Sequence, residues 1–125
     1  MSAKFSDFQK PGMVSVWVGD FRTEDDLDDY LNGGFELDFG FALYDRAVQE
    51  IGVESEPVSI EQLVTPFSRS QTFASGVVDA ARRAGCTSAS AMFIIYFFAF
   101  DPARVHVHPQ AQLRFIGAVP FPGFT

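Results

Sequence analysis

The stretch MVSVWVGDFRTEDDLDDYL, residues 13–31, runs from an alternating apolar segment into a segment that carries four aspartates. In its first part, Val14, Val16 and Val18 fall on one side of an extended chain, and the residues between them fall on the other. Because successive side chains of a strand point to opposite faces, this alternation indicates a β-strand. We therefore predict a strand over residues 13–19.

The second part of the stretch predicts a helix over residues 24–32. Thr23 is a favourable N-cap residue, and Asp26 three positions later completes a pattern close to a capping box. Three residues recur at helical spacing and are expected to face the core: Leu27, Tyr30 and Leu31. The other aspartates are then expected to face solvent: Asp25, Asp28 and Asp29.

The composition favours one acidic domain in a reducing compartment. The chain has 125 residues and a formal net charge of −7, so it repels phosphate backbones and anionic lipid surfaces. Nucleic acid and membranes are therefore poor partners, and a basic protein is the natural complement. A single cysteine, Cys86, excludes an internal disulfide, and the first residues lack a secretory signal. We predict a loose arm over residues 1–12 and a single cytoplasmic domain over residues 13–125.

The middle of the chain predicts a central strand and two helices. Residues 91–100 are apolar on both faces, which is typical of a strand covered on both sides. The run is also too short for a membrane helix, which needs about 20 residues. Helices are predicted over residues 59–65, opened by Ser59 and closed before Pro66, and over residues 72–84.

The remaining segments complete a predicted α+β fold. Two further strands are predicted over residues 105–108 and 112–119, and the last is expected to pair with the strand 91–100 across a long hairpin. The acidic and aromatic segment after the first helix has no clean period, which favours a loop through Phe41 and then a short helix from Leu43 to Ile51. The prediction is an antiparallel sheet of three to four strands packed with helices.

Acidic and aromatic side chains cluster after the predicted acidic helix. Glu36, Asp38 and Asp45, with Tyr44 beside them, are candidates for an acid-base pair or a metal site. Their spacing matches neither a calcium loop nor the signature of a two-carboxylate hydrolase. We therefore interpret them as surface acids.

Histidine and cysteine offer two weaker candidate sites. His106 and His108 would share one face of a short strand, a geometry that suits zinc, but the sequence has no His and Cys cluster to complete four ligands. Cys86 lacks a nucleophile signature, and a small buried cysteine is the favoured interpretation. Phosphate-loop, nucleophile-elbow and zinc-protease motifs are all missing from the sequence. We predict a protein without enzyme activity, metal or cofactor.

Motifs at both ends of the chain resemble those of a known family. They are Val14-Ser15-Val16-Trp17-Val18-Gly19, then Phe21, an acidic helix ending in Tyr30-Leu31, Phe39-Gly40-Phe41 with Tyr44-Asp45, and Phe115-Ile116-Gly117-Ala118-Val119. From Met13 to about Val119, the chain in this respect resembles the Immunity protein 22 family. One difference is that Arg46 follows the Tyr-Asp motif, where family members tend to continue with acidic residues.

The resemblance implies a bacterial immunity protein of a polymorphic toxin system, which neutralises a cognate toxin domain by binding it. Opposite charge raises the encounter rate of two proteins, so an acidic helix would steer a basic toxin. The residues expected to steer are Asp25, Asp26, Asp28 and Asp29. The residues expected to form the contact, with the aromatic ones as anchors, are Phe35, Glu36, Asp38, Phe39, Tyr44 and Asp45.

Two other functions stay open on the sequence. The first is a small ligand-binding domain or enzyme whose pocket uses the acidic loop 35–45. The second is a homo-oligomeric structural protein, suggested by the 15 phenylalanines and by the tail Phe121-Pro122-Gly123-Phe124. An immunity protein of this kind is expected to be a monomer or a weak homodimer.

Overall fold

A four-stranded antiparallel sheet organises the molecule, and helices cover both of its faces. The computed structural model describes residues 3–42 and 44–122. Along the chain these residues form β1 (Ala3–Lys4), β2 (Gln9–Gly19), α1 (Glu24–Leu31), α2 (Gly34–Phe39), β3 (Phe41–Ala42), β4 (Gln49–Ser59), α3 (Ile60–Val64), α4 (Ala74–Arg83), β5 (Ser88–Phe98) and β6 (Leu113–Pro120). Short 3-10 turns connect some of them: Phe5–Asp7, Arg46–Val48, Ser70–Thr72 and Pro102–Arg104. The predicted α+β class is confirmed.

The main sheet has the strand order β4-β5-β2-β6, and each neighbouring pair is antiparallel. Trp17 of β2 stands opposite Phe93 of β5 on one side and Phe115 of β6 on the other. β1 and β3 form a separate two-stranded parallel sheet. The strands predicted at 13–19, 91–100 and 112–119 are confirmed with shifted ends, as β2, β5 and β6.

Alternation along the strands gives the sheet a hydrophobic core on each face. Val14, Val16 and Val18 point to one face, where they pack with α3 and α4. Trp17 points to the opposite face, where α1 and α2 complete a second core. Aromatic rings dominate that second core: Phe5, Phe8, Trp17, Phe21, Tyr30, Phe35, Phe39, Phe41, Phe93, Phe98 and Phe100. Because each ring buries a large apolar area, this core accounts for much of the phenylalanine excess.

The alternation of side chains between the two faces of the sheet breaks at Phe97, near the end of β5. The φ angle of Phe97 is 57°, in the left-handed region that a bulky residue rarely adopts. Tyr96 and Phe97 consequently both pack on the α3 and α4 side, and Phe98 enters the aromatic core. The buried Ser15 hydroxyl donates to the Phe98 carbonyl at 2.8 Å and accepts from the Phe100 N–H at 2.9 Å. These bonds satisfy two backbone groups that the irregularity removes from the strand ladder.

The three helices predicted from periodicity are confirmed as α1, α3 and α4. The Thr23 hydroxyl accepts a hydrogen bond from the Asp26 N–H at 3.1 Å, and the Ser59 hydroxyl accepts one from the Gln62 N–H at 3.1 Å. Both are N-caps of the expected type. α4 packs on β6 at Gly117, where an added Cβ would lie 3.2 Å from the Ala80 side chain.

The segment from residue 35 to residue 59 differs from its prediction. Residues 34–39 form α2 where we expected a loop, and the helix predicted from Leu43 to Ile51 is wrong. Leu43 itself lies outside the described residues, and the remainder of that segment forms a 3-10 turn and the start of β4. β4 is an edge strand, and its exposed stretch 54–57 hides the alternation that normally signals a strand.

Residues 105–108 do not form the predicted strand. The His108 N–H donates to the Asp38 carbonyl at the end of α2, at 2.7 Å, instead of to a strand. Gly40 permits this contact, because a Cβ there would lie 2.8 Å from the His106 carbonyl oxygen. The predicted pairing of the last strand with β5 is also wrong. β6 pairs with β2, because β4 and β2 occupy the two sides of β5.

Residues 3–12 pack against the sheet and do not form the loose arm predicted for residues 1–12, while Met1 and Ser2 lie outside the described residues. Phe5 and Phe8 are each only 3% exposed and belong to the aromatic core, and β2 already begins at Gln9. At the other end, Phe121 is buried against the core beside α4, while Gly123 and Phe124 lie outside the described residues. Aromatic packing against the sheet is what holds both ends of the described chain.

Candidate partner-binding surface

The helix α1 presents its aspartates to solvent while its apolar side anchors it to the sheet. Leu27, Tyr30 and Leu31 are buried in the aromatic core, as their spacing predicts. The four aspartates predicted to steer a partner are all exposed: Asp25, Asp26, Asp28 and Asp29. Three acidic residues in the first turn, Glu24, Asp25 and Asp26, also suit the positive end of the helix dipole. Capping and the helix dipole account for the acidic residues of the first turn but not for Asp28 and Asp29.

Arg46 joins the segment after α2 to the acidic helix. Its guanidinium donates to the Asp28 Oδ1, and both side chains remain partly exposed, at 39% and 54%. The neighbouring Asp45 accepts a hydrogen bond from the Ala47 N–H at 2.9 Å and so caps the 3-10 turn that begins at Arg46. The pair therefore brings the Tyr44-Asp45 motif against α1.

Tyr44 sits where several acidic side chains converge. Burial raises the pKa of its hydroxyl; the Arg46 charge opposes this, and the charges of Asp28, Glu36 and Asp45 add to it. The hydroxyl oxygen is buried and makes no hydrogen bond among the described residues. Three of the predicted contact and steering residues thus meet around Tyr44: Asp28, Glu36 and Asp45.

We define the acidic face as the exposed or half-exposed carboxylates of α1, α2 and the following turn: Asp25, Asp26, Asp28, Asp29, Glu36 and Asp45. Leu37 of α2 lies beside it and is 82% exposed, an unusual position for a large apolar side chain in the described part of the chain. Leu37 was not among the residues predicted to form the contact. Its signal was present, because Phe35 and Phe39 share a helical face that Leu37 cannot share.

Phe35 and Phe39 do not lie on the surface, and their prediction as contact anchors is wrong in this structure. They are 0% and 1% exposed, and their rings lie 5.1 Å and 5.9 Å from the Trp17 ring. Phe35 also packs edge-on against Phe93 at 4.9 Å. Both rings therefore hold α2 on the sheet and are not available to a partner.

Asp38 is a structural bridge. Its carboxylate accepts a hydrogen bond from the Tyr30 hydroxyl at 2.6 Å and another from the Gln112 N–H at 3.4 Å. Burial, followed by this hydrogen bond from its hydroxyl to Asp38, raises the pKa of Tyr30. Asp38 thus links α1, α2 and the segment before β6, which leaves it half-buried and less open to a partner than the α1 aspartates.

The histidines and the cysteine occupy ordinary positions. His106 and His108 are exposed, and the His108 Nδ1 accepts a hydrogen bond from the Gln110 N–H at 3.0 Å. Cys86 is half-buried after Gly85, at the C-terminal end of α4, and its Sγ lies 3.6 Å from the Ser88 carbonyl oxygen. Among residues 3–42 and 44–122, no three His, Cys, Asp or Glu side chains are placed to hold a metal ion.

The described part of the molecule has two cavities of about 510 Å³ and 520 Å³. The first lies beside the start of β4, and the second lies between Phe39 and the 107–115 segment. Asp38 and Asp45 line neither of these two cavities, so neither cavity brings them together with a histidine. These two cavities therefore give no support to a ligand-binding site built from the loop 35–45.

Comparison with protein families places the chain. A family model described as Immunity protein 22 matches residues 14–122. The chain belongs to the Immunity protein 22 family. The matched region includes residues 14–19 of β2, the acidic helix α1 and β6, which carry motifs of the sequence resemblance. No curated protein and no solved structure matches the chain.

Membership of the Immunity protein 22 family gives this chain an immunity role and, in general terms, a toxin as its partner. For this member of the family, the geometry brings Asp28, Glu36, Tyr44 and Asp45 together with Arg46. Among the described residues, none of the helices is long and apolar enough to cross a membrane.

Proposed function

We propose that this protein neutralises a cognate bacterial toxin in the cytoplasm by binding its toxin domain one-to-one, without chemistry of its own. The observation that supports the proposal is the acidic face, to which α1, α2 and the turn after Tyr44 each contribute exposed or half-exposed carboxylates. A basic toxin domain is the complementary partner. We expect the immunity protein itself to be a monomer or a weak homodimer before it binds.

The acidic face supports fast encounter, and Leu37 supports affinity. Exposed charges mainly raise the association rate, whereas affinity depends on apolar and aromatic anchors that become buried on binding. Leu37 is the candidate anchor because it protrudes from α2 next to Glu36. Tyr44, with its buried hydroxyl, is a second candidate at the edge of the same surface.

Association kinetics test this proposal. The ligand is the C-terminal domain of the cognate toxin, which is to be sought among the neighbouring genes and purified in an inactive form. The double variant Asp25→Asn/Asp29→Asn removes two exposed charges that lie four residues apart on one side of α1. We expect its association rate constant at low salt to fall about tenfold, and the difference to shrink as salt screens the charges.

A matched double variant provides the control. Glu61→Gln/Asp79→Asn removes two exposed charges from α3 and α4, on the opposite side of the sheet. The net charge is the same in both double variants, so only position differs. Equal rates for the two variants would contradict a partner that approaches the acidic face, and the lack of any complex with the wild-type chain would overturn the proposed function.

A further inference from the structure

The cavity of about 510 Å³ beside the start of β4 has a lining unlike that of the acidic face. It lies between the Arg46–Val48 turn, the first residues of β4 and the end of β5. The lining residues that matter here are Glu50, Ser68, Arg69, Tyr96, Phe97 and Phe121. Ala47 and Val48 also line it, so the turn that begins at Arg46 leads from the acidic face directly to this cavity.

A carboxylate is held in place within the cavity wall. The Tyr96 hydroxyl donates to the Glu50 Oε1 at 2.5 Å, and the Ser68 N–H lies 3.2 Å and 3.4 Å from the two carboxylate oxygens. Burial, and then the bond to Glu50, raise the pKa of Tyr96, so its hydroxyl remains a neutral donor. A carboxylate has about four acceptor positions, so these bonds fix Glu50 without exhausting it.

Aromatic rings form the rest of the wall. The Tyr96 and Phe121 rings lie 5.3 Å apart, and the Phe97 and Phe121 rings lie 6.2 Å apart. The left-handed backbone at Phe97 is what turns its ring to this side of the sheet beside Tyr96. A fixed carboxylate next to aromatic faces is the environment that binds a planar guanidinium, through paired hydrogen bonds and stacking.

We propose that this cavity receives an arginine side chain of the protein partner, with Glu50 as its carboxylate and the Tyr96, Phe97 and Phe121 rings as its walls. This inference rests on the proposed function, because it names where a basic toxin inserts one side chain beside the acidic face. Arg69 also lines the cavity. Its positive charge opposes the entry of a second guanidinium, so removing this charge tests whether the occupant is a cation.

The direct test is a nuclear magnetic resonance titration of the full chain with N-acetyl-arginine amide. The neutral isostere N-acetyl-citrulline amide is the control ligand. We expect saturable shifts at the amides of Glu50, Ser68 and Phe97 with the arginine probe and much weaker ones with the citrulline probe. Glu50→Gln keeps an acceptor for Tyr96 but removes the charge, and we expect it to weaken the arginine probe about tenfold.

Two further variants complete the test. Arg69→Gln removes the competing charge, so the arginine probe should bind as well or better. Ala47→Trp places a large ring at an exposed position of the rim and should block the probe even if Glu50→Gln folds poorly. Equal binding of both probes, shifts away from the cavity, or undiminished binding of the arginine probe to Glu50→Gln would overturn the proposal.

The toxin domain separates this inference from the proposed function. If the wild-type chain and Glu50→Gln bind the toxin equally well, the guanidinium site is wrong and the acidic-face interaction stands. If Glu50→Gln and Ala47→Trp both weaken the toxin complex while Glu61→Gln does not, the site is supported. If the wild-type chain binds no toxin, the proposed function fails, and the probe titration alone supports or overturns the guanidinium site.

Discussion

Arg46 donates a hydrogen bond to the Asp28 Oδ1, and this ion pair ties the Tyr44-Asp45 motif to the acidic helix α1. A basic residue therefore stands inside a surface that is otherwise acidic. Arg46 neutralises one carboxylate of the acidic face. Its charge also partly offsets the rise that burial causes in the pKa of Tyr44.

Arg46→Gln should scarcely change stability. Both partners are partly exposed, and exposed ion pairs contribute less than about 1 kcal/mol to the free energy of unfolding. Urea unfolding monitored by circular dichroism measures the change. The same variant makes the acidic face more negative, so association with a basic toxin domain should become faster at low salt. A loss of several kcal/mol would show that the pair is a structural element.

Phe35 and Leu37 of α2 should respond in opposite ways to truncation. Phe35→Ala opens a cavity among the rings around Trp17 and should lower the free energy of unfolding by about 3–5 kcal/mol. Leu37→Ala should change it by less than about 0.5 kcal/mol, because the side chain is exposed. Leu37→Ala should instead weaken the toxin complex, as isothermal titration calorimetry would show. A stable Phe35→Ala protein would contradict the burial of α2.

Ser15→Ala should destabilise the protein although it removes only one hydroxyl. The change leaves the Phe98 carbonyl and the Phe100 N–H without their buried partner, at a cost of about 1–3 kcal/mol. Ser55→Ala, at an exposed position of β4, is the control and should leave the unfolding midpoint in denaturant unchanged. Equal midpoints for both variants would show that the irregular end of β5 does not depend on Ser15.

The three tyrosines should resist titration while the protein is folded. Burial is the first cause that raises the pKa of Tyr30, Tyr44 and Tyr96 above the usual value for tyrosine, about 10. The unfolded chain then releases these protons at lower pH than the folded chain, so stability is full below about pH 10 and falls as the pH rises further. Tyrosinate absorbance should appear in one cooperative step together with the loss of circular dichroism. Gradual titration near pH 10 with the fold intact would contradict the burial of these hydroxyl groups.

The parts of the fold that the sequence predicted are those with a strong local pattern. The alternation at Val14, Val16 and Val18 and the caps at Thr23 and Ser59 depend on neighbours along the chain, and the structure confirms them. β4 was missed because its local pattern is weak, with Gly52 and Pro57 inside it and an exposed middle. It becomes a strand by pairing with β5, a contact that no local window contains.

The candidate site was predicted in part for a similar reason. The helical spacing of Leu27, Tyr30 and Leu31 placed the α1 aspartates on the surface, and this agrees with the rule that carboxylates are rarely buried without a partner. Whether an aromatic residue faces the core depends on the secondary structure to which it belongs. Because the segment through Phe41 was predicted as a loop and not as the helix α2, Phe35 and Phe39 were expected at the surface. The role of Asp38 could not be predicted for a related reason, because one of its bonds is to Gln112, 74 residues away in the sequence.

The measurement that tests the central claim most directly is a titration of toxin activity with the purified protein. The toxin domain is held at a fixed concentration well above the dissociation constant, and the protein is added in steps. The account predicts that activity falls linearly and reaches zero at equal molar amounts. Full toxin activity in the presence of excess protein would contradict it, and so would complete loss of activity at a small fraction of the molar equivalent, which would indicate turnover by an enzyme.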